Sequence, residues 1–477
     1  MRKKQTKIVA TIGVQRDPEF INAMYRAGAD VMRLNTAHQG VKESLQVIKN
    51  IRQVSDRIAI LIDTKGPEVR VTKAEEELVY KKDDKVKISG TGENLLTSIE
   101  KIYVNYFNFH KDIPVHSLIY IDDGKLELKV EKKTATYLLC KIINDGVIKS
   151  NKSVNVPGVH LNLPTLNKKD KEYINFAIKH KIDFIAHSFV RNKEDVLVIQ
   201  RLLDKHKSPI KIIAKIENLE GVEHIDEILD QAHGIMVARG DLGIEMAPEE
   251  IPLIQKEIIR KCIIRHKPVI VATQMLQSMV HNPRPTRAEV SDVANSVIDG
   301  ADAVMLSEES ASGNYPQEAV EIMARIVRRV EMSNEKHHFS NLPQIDTINK
   351  TAHYLISAAI QATKELDITE IIMTSSSGHS AQVIASYRGR TPVYVKCFDK
   401  HVARQLALTY GINAHYVKKE EDHKKFITDL FRFLVKKNKL EPQNQVVFLA
   451  RDVHHGSGAN FMEICEVGKY LTKARKK

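Results

Sequence analysis

Eight short β-branched runs, set at a nearly regular interval, constrain this chain more than any other feature. They read Lys7–Thr11 (KIVAT), Asp30–Leu34 (DVMRL), Ile58–Asp63 (IAILID), Asp183–Ser188 (DFIAHS), Lys211–Lys215 (KIIAK), Gly234–Ala238 (GIMVA), Pro268–Thr273 (PVIVAT) and Asp302–Leu306 (DAVML). Short continuous apolar runs suit strands buried on both faces, as in a parallel sheet. Most begin about 23 to 34 residues apart, room for one helix each. Eight βα units in order predict a closed (β/α)8 barrel, the TIM-barrel form, in preference to an open sheet.

One interval breaks the rhythm. Between Asp63 and Asp183 the text alternates as exposed strands do, in Ser117–Ile121, Leu126–Val130 and Tyr137–Ile142, with turn signals at Asp122-Asp123-Gly124 and Asn144-Asp145-Gly146. This predicts a small β-barrel domain over residues 70–160, inserted after the third strand and dividing the barrel into residues 1–69 and 161–335. After a linker at Glu335–Ile345 comes a C-terminal α/β domain, residues 346–477. It holds a helix at Lys350–Leu366 and strands at Glu370–Thr374 and Val393–Val395.

A chain of 477 residues calls for several domains, and 43% hydrophobic with 28% charged residues is globular in character. No run approaches the roughly 18 apolar residues of a membrane span. The start lacks an apolar signal core, so a cytoplasmic location is expected. The four cysteines are scattered, which disfavours a disulfide framework or zinc site. The net charge of +12 comes from lysines spread along the whole chain, with no basic stripe and no Trp. Nucleic-acid binding and membrane association are therefore set aside.

In such a barrel, chemistry gathers at the carboxyl ends of the strands. The residues there are Thr11, Arg33 and Asn35, Asp63, Ser188, Lys215 and Glu217, Arg239 and Asp241, Thr273, and Ser307. Any one is ordinary loop punctuation; eight successive polar ends read as one site. Lys215 and Glu217 are two apart and share a side if the strand continues. They are either a structural salt bridge or a metal carboxylate beside a cation that meets a phosphoryl group. Asp241, in Arg239-Gly-Asp-Leu-Gly243, adds a second hard oxygen ligand suited to Mg²⁺, and Gly240 opens its backbone to an anion. The bland alternative is a turn. Gly66-Pro67 reads as a stiff hinge, Thr273 as a helix N-cap, and Asn282-Pro-Arg-Pro as a Pro-fixed helix start.

These segments resemble the pyruvate kinase family. The likeness is carried by Thr6–Gly13, Met32–Gly40 (MRLNTAHQG), Asp63–Arg70 (DTKGPEVR), Asn155–Gly158, Lys215–Gly221 (KIENLEG), Ala238–Glu245 (ARGDLGIE), Ala272–Met279, Asn282–Asp299 and Ala301–Tyr315. The resemblance implies phosphoryl transfer from phosphoenolpyruvate to ADP, giving pyruvate and ATP in glycolysis. It implies Mg²⁺ (or Mn²⁺) on Glu217 and Asp241, and K⁺ on Asn35, Asp63 and Thr64. Lys215 would lie beside the phosphoryl group in flight, Arg33 on phosphate, and Gly240 and Thr273 on the three-carbon unit. Arg70 and Lys152 would meet the nucleotide phosphates, and a homotetramer is expected.

Some positions depart from the family pattern. Ala37 stands where a serine oxygen usually meets K⁺, although Glu68 keeps the glutamate that accompanies K⁺ dependence, so weakened K⁺ activation is expected. Val14, His187 and Glu308 also differ, the last two near the barrel mouth. The loop Ser375-Ser376-Ser377-Gly378-His379-Ser380 between a strand and a helix is a candidate phosphate site for a sugar-phosphate or nucleotide effector. There His379 replaces a more usual arginine, and a plain Ser/Gly turn is the alternative. Two rival readings are an Mg²⁺-dependent aldolase or lyase of 2-oxo acids, needing neither insert nor Arg70 and Lys152, and a non-catalytic scaffold.

Overall fold

The computed structural model describes residues 4–14, 16–74, 76–93, 95–333, 349–418, 423–436, 440–450 and 459–473. Eight parallel strands close on themselves: β1 (Lys7–Thr11), β2 (Val31–Asn35), β3 (Ala59–Asp63), β4 (Phe184–His187), β5 (Lys211–Ile216), β6 (Gly234–Ala238), β7 (Val269–Ala272) and β8 (Ala303–Leu306). Each strand pairs with its sequence neighbours, and Lys7 opposite Ala303 shuts the ring. Each run from the sequence forms a strand, with both ends within one residue of the run.

The pleat divides each strand between two cores. Val9, Val31, Leu61, Phe184, Ile213, Met236, Ile270 and Met305 fill the barrel interior. Their alternates, such as Ile8, Ile62, Ile185 and Ile235, pack outward on the helices. That double burial is why the runs are apolar throughout.

The interval after β3 forms a separate unit around its own core, from Val69 to Val156. Its main sheet has six strands, ordered Val154–Asn155, Leu118–Ile121, Leu126–Lys133, Leu138–Ile142, Lys85–Gly90 and Lys101–Val104, with a two-stranded ribbon beside it. It is a half-barrel whose two edge strands are joined through residues 70 and 71, by the bridges Arg70–Ser153 and Val71–Val104. Gly66, at φ +73°, makes the exit from the barrel: a Cβ there would lie 2.7 Å from the Phe189 ring and 2.8 Å from Ser188 Cβ.

The C-terminal unit is a five-stranded sheet in the order Ile412–Tyr416, Val393–Cys397, Ile368–Ser375, Gln445–Ala450 and Phe461–Glu466, with only the last antiparallel. It seals the amino end of the barrel. Leu408 joins the apolar residues of the barrel interior, and Lys7 Nζ donates to the Ile412 carbonyl at 2.7 Å. The expected linker at Glu335–Ile345 lies outside the described residues. No helix among the described residues is long and apolar enough to cross a membrane.

Candidate active site

Strand geometry delivers one charged cluster to the carboxyl end. Asn35 pairs in register with Asp63 across β2 and β3, and β5 runs on to Ile216, so Lys215 and Glu217 reach the rim together. Lys215 Nζ lies 2.8 Å from Glu217 Oε1 and 3.1 Å from Asp63 Oδ1, and donates to Ser188 Oγ at 2.8 Å. Arg33 Nε donates to the other Asp63 oxygen at 2.7 Å, and Arg33 Nη1 donates to Thr11 Oγ1 at 2.9 Å. The second Glu217 oxygen accepts from the Phe189 N–H at 2.6 Å. The salt-bridge reading of Lys215 and Glu217 therefore holds in the protein alone, and it sits inside a larger network.

Electrostatics sort these groups. Burial opposes charge on Asp63, but Lys215 and Arg33 outweigh it and hold its carboxyl below the usual range. Burial likewise pulls on the Lys215 ammonium, and Asp63 and Glu217 more than offset this, leaving it raised and charged. Asp241 goes the other way: burial and the like charge of Glu217 push it up to about 8. A cation at Asp241 and Glu217 would remove that cost. Two carboxylates suit a hard divalent ion completed by substrate oxygens and water. Among the described residues no three His, Cys, Asp or Glu side chains converge as a full metal cage.

Above this cluster a cleft of about 1090 Å³ separates rim and insert. Gly240, Asp241, Thr273 and Gln274 line one wall; Arg70 and Lys152 line the other. Arg70 Nε donates to Glu68 at 2.6 Å, and Lys152 Nζ donates to Asp122 at 2.8 Å. A Cβ on Gly240 would meet only ordinary contact, 3.5 Å from Thr273 Oγ1, so the missing side chain leaves open cleft rather than relieving a clash.

Thr273 is not the helix N-cap its sequence suggested. It adopts φ +70° in a turn after β7, and its hydroxyl accepts from the Gly240 N–H at 2.8 Å. Thr286 is the cap instead, in a capping box with Glu289 that starts the helix Arg287–Ile298. For the proposed K⁺ ligands the geometry is mixed. Asn35 Oδ1 accepts from the Ala37 N–H, Thr64 Oγ1 donates to the Ala186 carbonyl, and both Asp63 oxygens already face cations. His187 turns away from the mouth, buried with neither ring nitrogen hydrogen-bonded, whereas Glu308 does line the cleft and accepts from Gln277 at 3.1 Å.

In the C-terminal unit, Ser375 Oγ accepts from the Gly378 N–H at 2.9 Å, with Gly378 at φ +87° just before the helix His379–Ser386. Ser376 and Ser377 are exposed and Ser380 is buried. Sequence reasoning missed Glu309, fully buried, whose carboxylate accepts from the Leu276 and Ser307 N–H groups and ties the last two rim loops together. The second of two consecutive glutamates in the first turn of a short helix carries no sequence signal for that role.

A parallel barrel with an ammonium among carboxylates, beneath a cleft walled by Arg70 and Lys152, defines an enzyme of the phosphotransferase kind. The family model "Pyruvate kinase, barrel domain" matches residues 3–320, and "Pyruvate kinase, alpha/beta domain" matches residues 353–465. The chain is 43% identical over 471 residues to the pyruvate kinase of Borreliella burgdorferi, covering 97% of this chain and 98% of that one. It is 44% identical over 418 residues to that of Geobacillus stearothermophilus (86% and 71%), and 40% identical over 488 residues to that of Bacillus licheniformis (99% and 82%). The chain belongs to the pyruvate kinase family, and it is an enzyme with that family's phosphotransferase activity.

Proposed function

We propose that the chain moves the phosphoryl group of phosphoenolpyruvate to ADP in this cleft, releasing pyruvate and ATP. The observation that carries the assignment is the Lys215 ammonium held by Asp63 and Glu217 and within electrostatic reach of Asp241, which lines the cleft that Arg70 and Lys152 share. Phosphoryl transfer asks a protein chiefly for positioning and for neutralising charge on the moving group. Arg33 and Lys215 do so from the barrel side, and Arg70 and Lys152 orient the nucleotide from the insert side. Thr273 Oγ1 and the Gly240 N–H hold the three-carbon unit, with the Thr273 hydroxyl near the carbon that gains a proton.

Glu217 and Asp241 would hold Mg²⁺ or Mn²⁺, which when bound neutralises phosphoryl and carboxylate oxygens. Asn35, Asp63 and Thr64 would hold K⁺, weakly, because Ala37 offers no oxygen. A lactate-dehydrogenase-coupled assay with phosphoenolpyruvate, ADP, Mg²⁺ and K⁺ tests the reading. ADP-dependent pyruvate formation is expected; pyruvate formed equally without ADP would mean that water, not ADP, takes the phosphoryl group, and would contradict it.

The Ser375–Ser380 loop is assigned to a phosphorylated effector, supported by its hydroxyls at a helix start. A phosphoenolpyruvate saturation curve unmoved by every sugar phosphate and nucleotide tried would remove that assignment. The protein is expected to work in the cytoplasm as a homotetramer; a monomer in sedimentation runs would correct the assembly.

A further inference from the structure

Thr273 and Gln274 sit consecutively in the left-handed region, at φ +70° and +54°. For a β-branched residue this costs about 1–3 kcal/mol and persists only where the surroundings over-determine it. Three hydrogen bonds do so. The Gly240 N–H donates to Thr273 Oγ1 at 2.8 Å, that hydroxyl donates to the Ala272 carbonyl at 2.6 Å, and Arg239 Nη2 donates to the Thr273 carbonyl at 2.8 Å.

Arg239 is itself gripped. Its Nη1 and Nη2 meet the two Asp292 oxygens at 2.5 and 2.7 Å, a two-point pairing that fixes the plane of the guanidinium. Asp292 lies on Arg287–Ile298, the helix that follows the strained turn. The Arg239 side chain is 12% exposed, and neither it nor Asp292 lines the cleft, whereas Gly240, Asp241, Thr273 and Gln274 all do. Arg239 therefore reaches the reaction only through its neighbours. A lysine would not replace it, because an ammonium cannot meet both Asp292 oxygens in the two-point, coplanar pairing that the guanidinium fork makes.

We infer that Arg239 and Asp292 form a positioning pair that holds the Thr273 hydroxyl in register over the cleft. The inference rests on the role proposed above for Thr273. Asp292→Asn keeps the side chain's size and breaks the two-point pairing. It lowers kcat about 10- to 100-fold, leaves the half-saturating Mg²⁺ concentration unchanged, and barely moves the unfolding midpoint.

In a Thr273→Ala background the same substitution costs less than about threefold, because the group it positions is gone. Equal fold losses in both backgrounds, or a shifted Mg²⁺ requirement, overturn the inference and leave the pair a structural brace or a support for Asp241. Thr273→Ala turning over at the wild-type rate brings down the role of Thr273 itself, and the inference with it. If Asp292→Asn does not fold, Arg239→Lys takes its place, with the same non-additive pattern expected and additive losses counting against the pair.

Discussion

At the amino ends of the barrel strands, Asp183 accepts from Arg404 Nε at 2.6 Å and from Arg52 Nη2 at 2.9 Å, and Asp302 accepts from Arg388 Nη2 at 2.6 Å. At the carboxyl ends, Asp63 and Glu217 share Lys215, while Asp241 makes no ion pair among the described residues. Both ends bury carboxylates beside cations, yet the amino end matches its acids to cations supplied largely by the C-terminal unit. The carboxyl end is left with one acidic group, Asp241, that has no cation paired to it among the described residues, facing a cleft. Matched charge under a seal holds domains together; unmatched charge under a cleft is capacity for a ligand.

The largest expected contrast comes from breaking the matched end. Arg388→Met leaves Asp302 buried with its main cation gone, and stability should fall by about 3–5 kcal/mol in a denaturant titration. Turnover per folded molecule should stay close to wild type. A large loss of kcat in the folded variant would mean that the two ends are not separable in this way.

The pH dependence of stability should run in opposite directions at the two ends. Burial opposes charge on Asp183, but His401, Arg52 and Arg404 hold its carboxyl low, so its contribution is present above its ordinary value near 3.8 and is lost as acid carries the pH through the depressed value. Asp241 is raised by burial and Glu217. Between about pH 4 and pH 8 the folded state keeps a proton that the unfolded chain has released, and the group lowers stability as pH rises. Unfolding midpoints measured without Mg²⁺ should therefore fall less steeply from pH 5 to pH 8 in Asp241→Asn than in wild type. Identical slopes would show that Asp241 is not the strained group.

The smallest expected effect concerns the monovalent cation. With Ala37 in the ligand position, replacing K⁺ by a bulky organic cation should slow the enzyme by only a few-fold, checked in the coupled assay. Equal rates would remove K⁺ from the account, and abolition of activity would show that another oxygen replaces the missing one.

The carboxyl end was largely legible in the sequence and the amino end was not, for a physical reason. Parallel strands buried on both faces leave apolar runs that stop at polar residues, so Arg33, Asp63, Lys215 and Glu217 announce a rim. Asp183 and Asp302 also border strands, but their partners Arg404 and Arg388 lie more than 80 residues away. No local pattern links them. Direction was hidden too: His187 closes a strand like the rim residues yet turns outward, because pleat parity rather than composition decides the face. Thr273 read as an N-cap because a hydroxyl before a helix-like stretch has that role in most contexts, and only its φ of +70° shows otherwise. The insert's alternating strands were visible, but whether its sheet closes depends on long-range edge pairing.

The most direct test of the central claim, that the unmatched end performs phosphoryl transfer around Lys215, is the turnover of Lys215→Met alongside calorimetric binding of phosphoenolpyruvate. Losing one preorganised cation at a developing anion costs about 3–4 kcal/mol, so kcat should drop by roughly a hundredfold or more while phosphoenolpyruvate still binds. A kcat within about threefold of wild type would contradict the account.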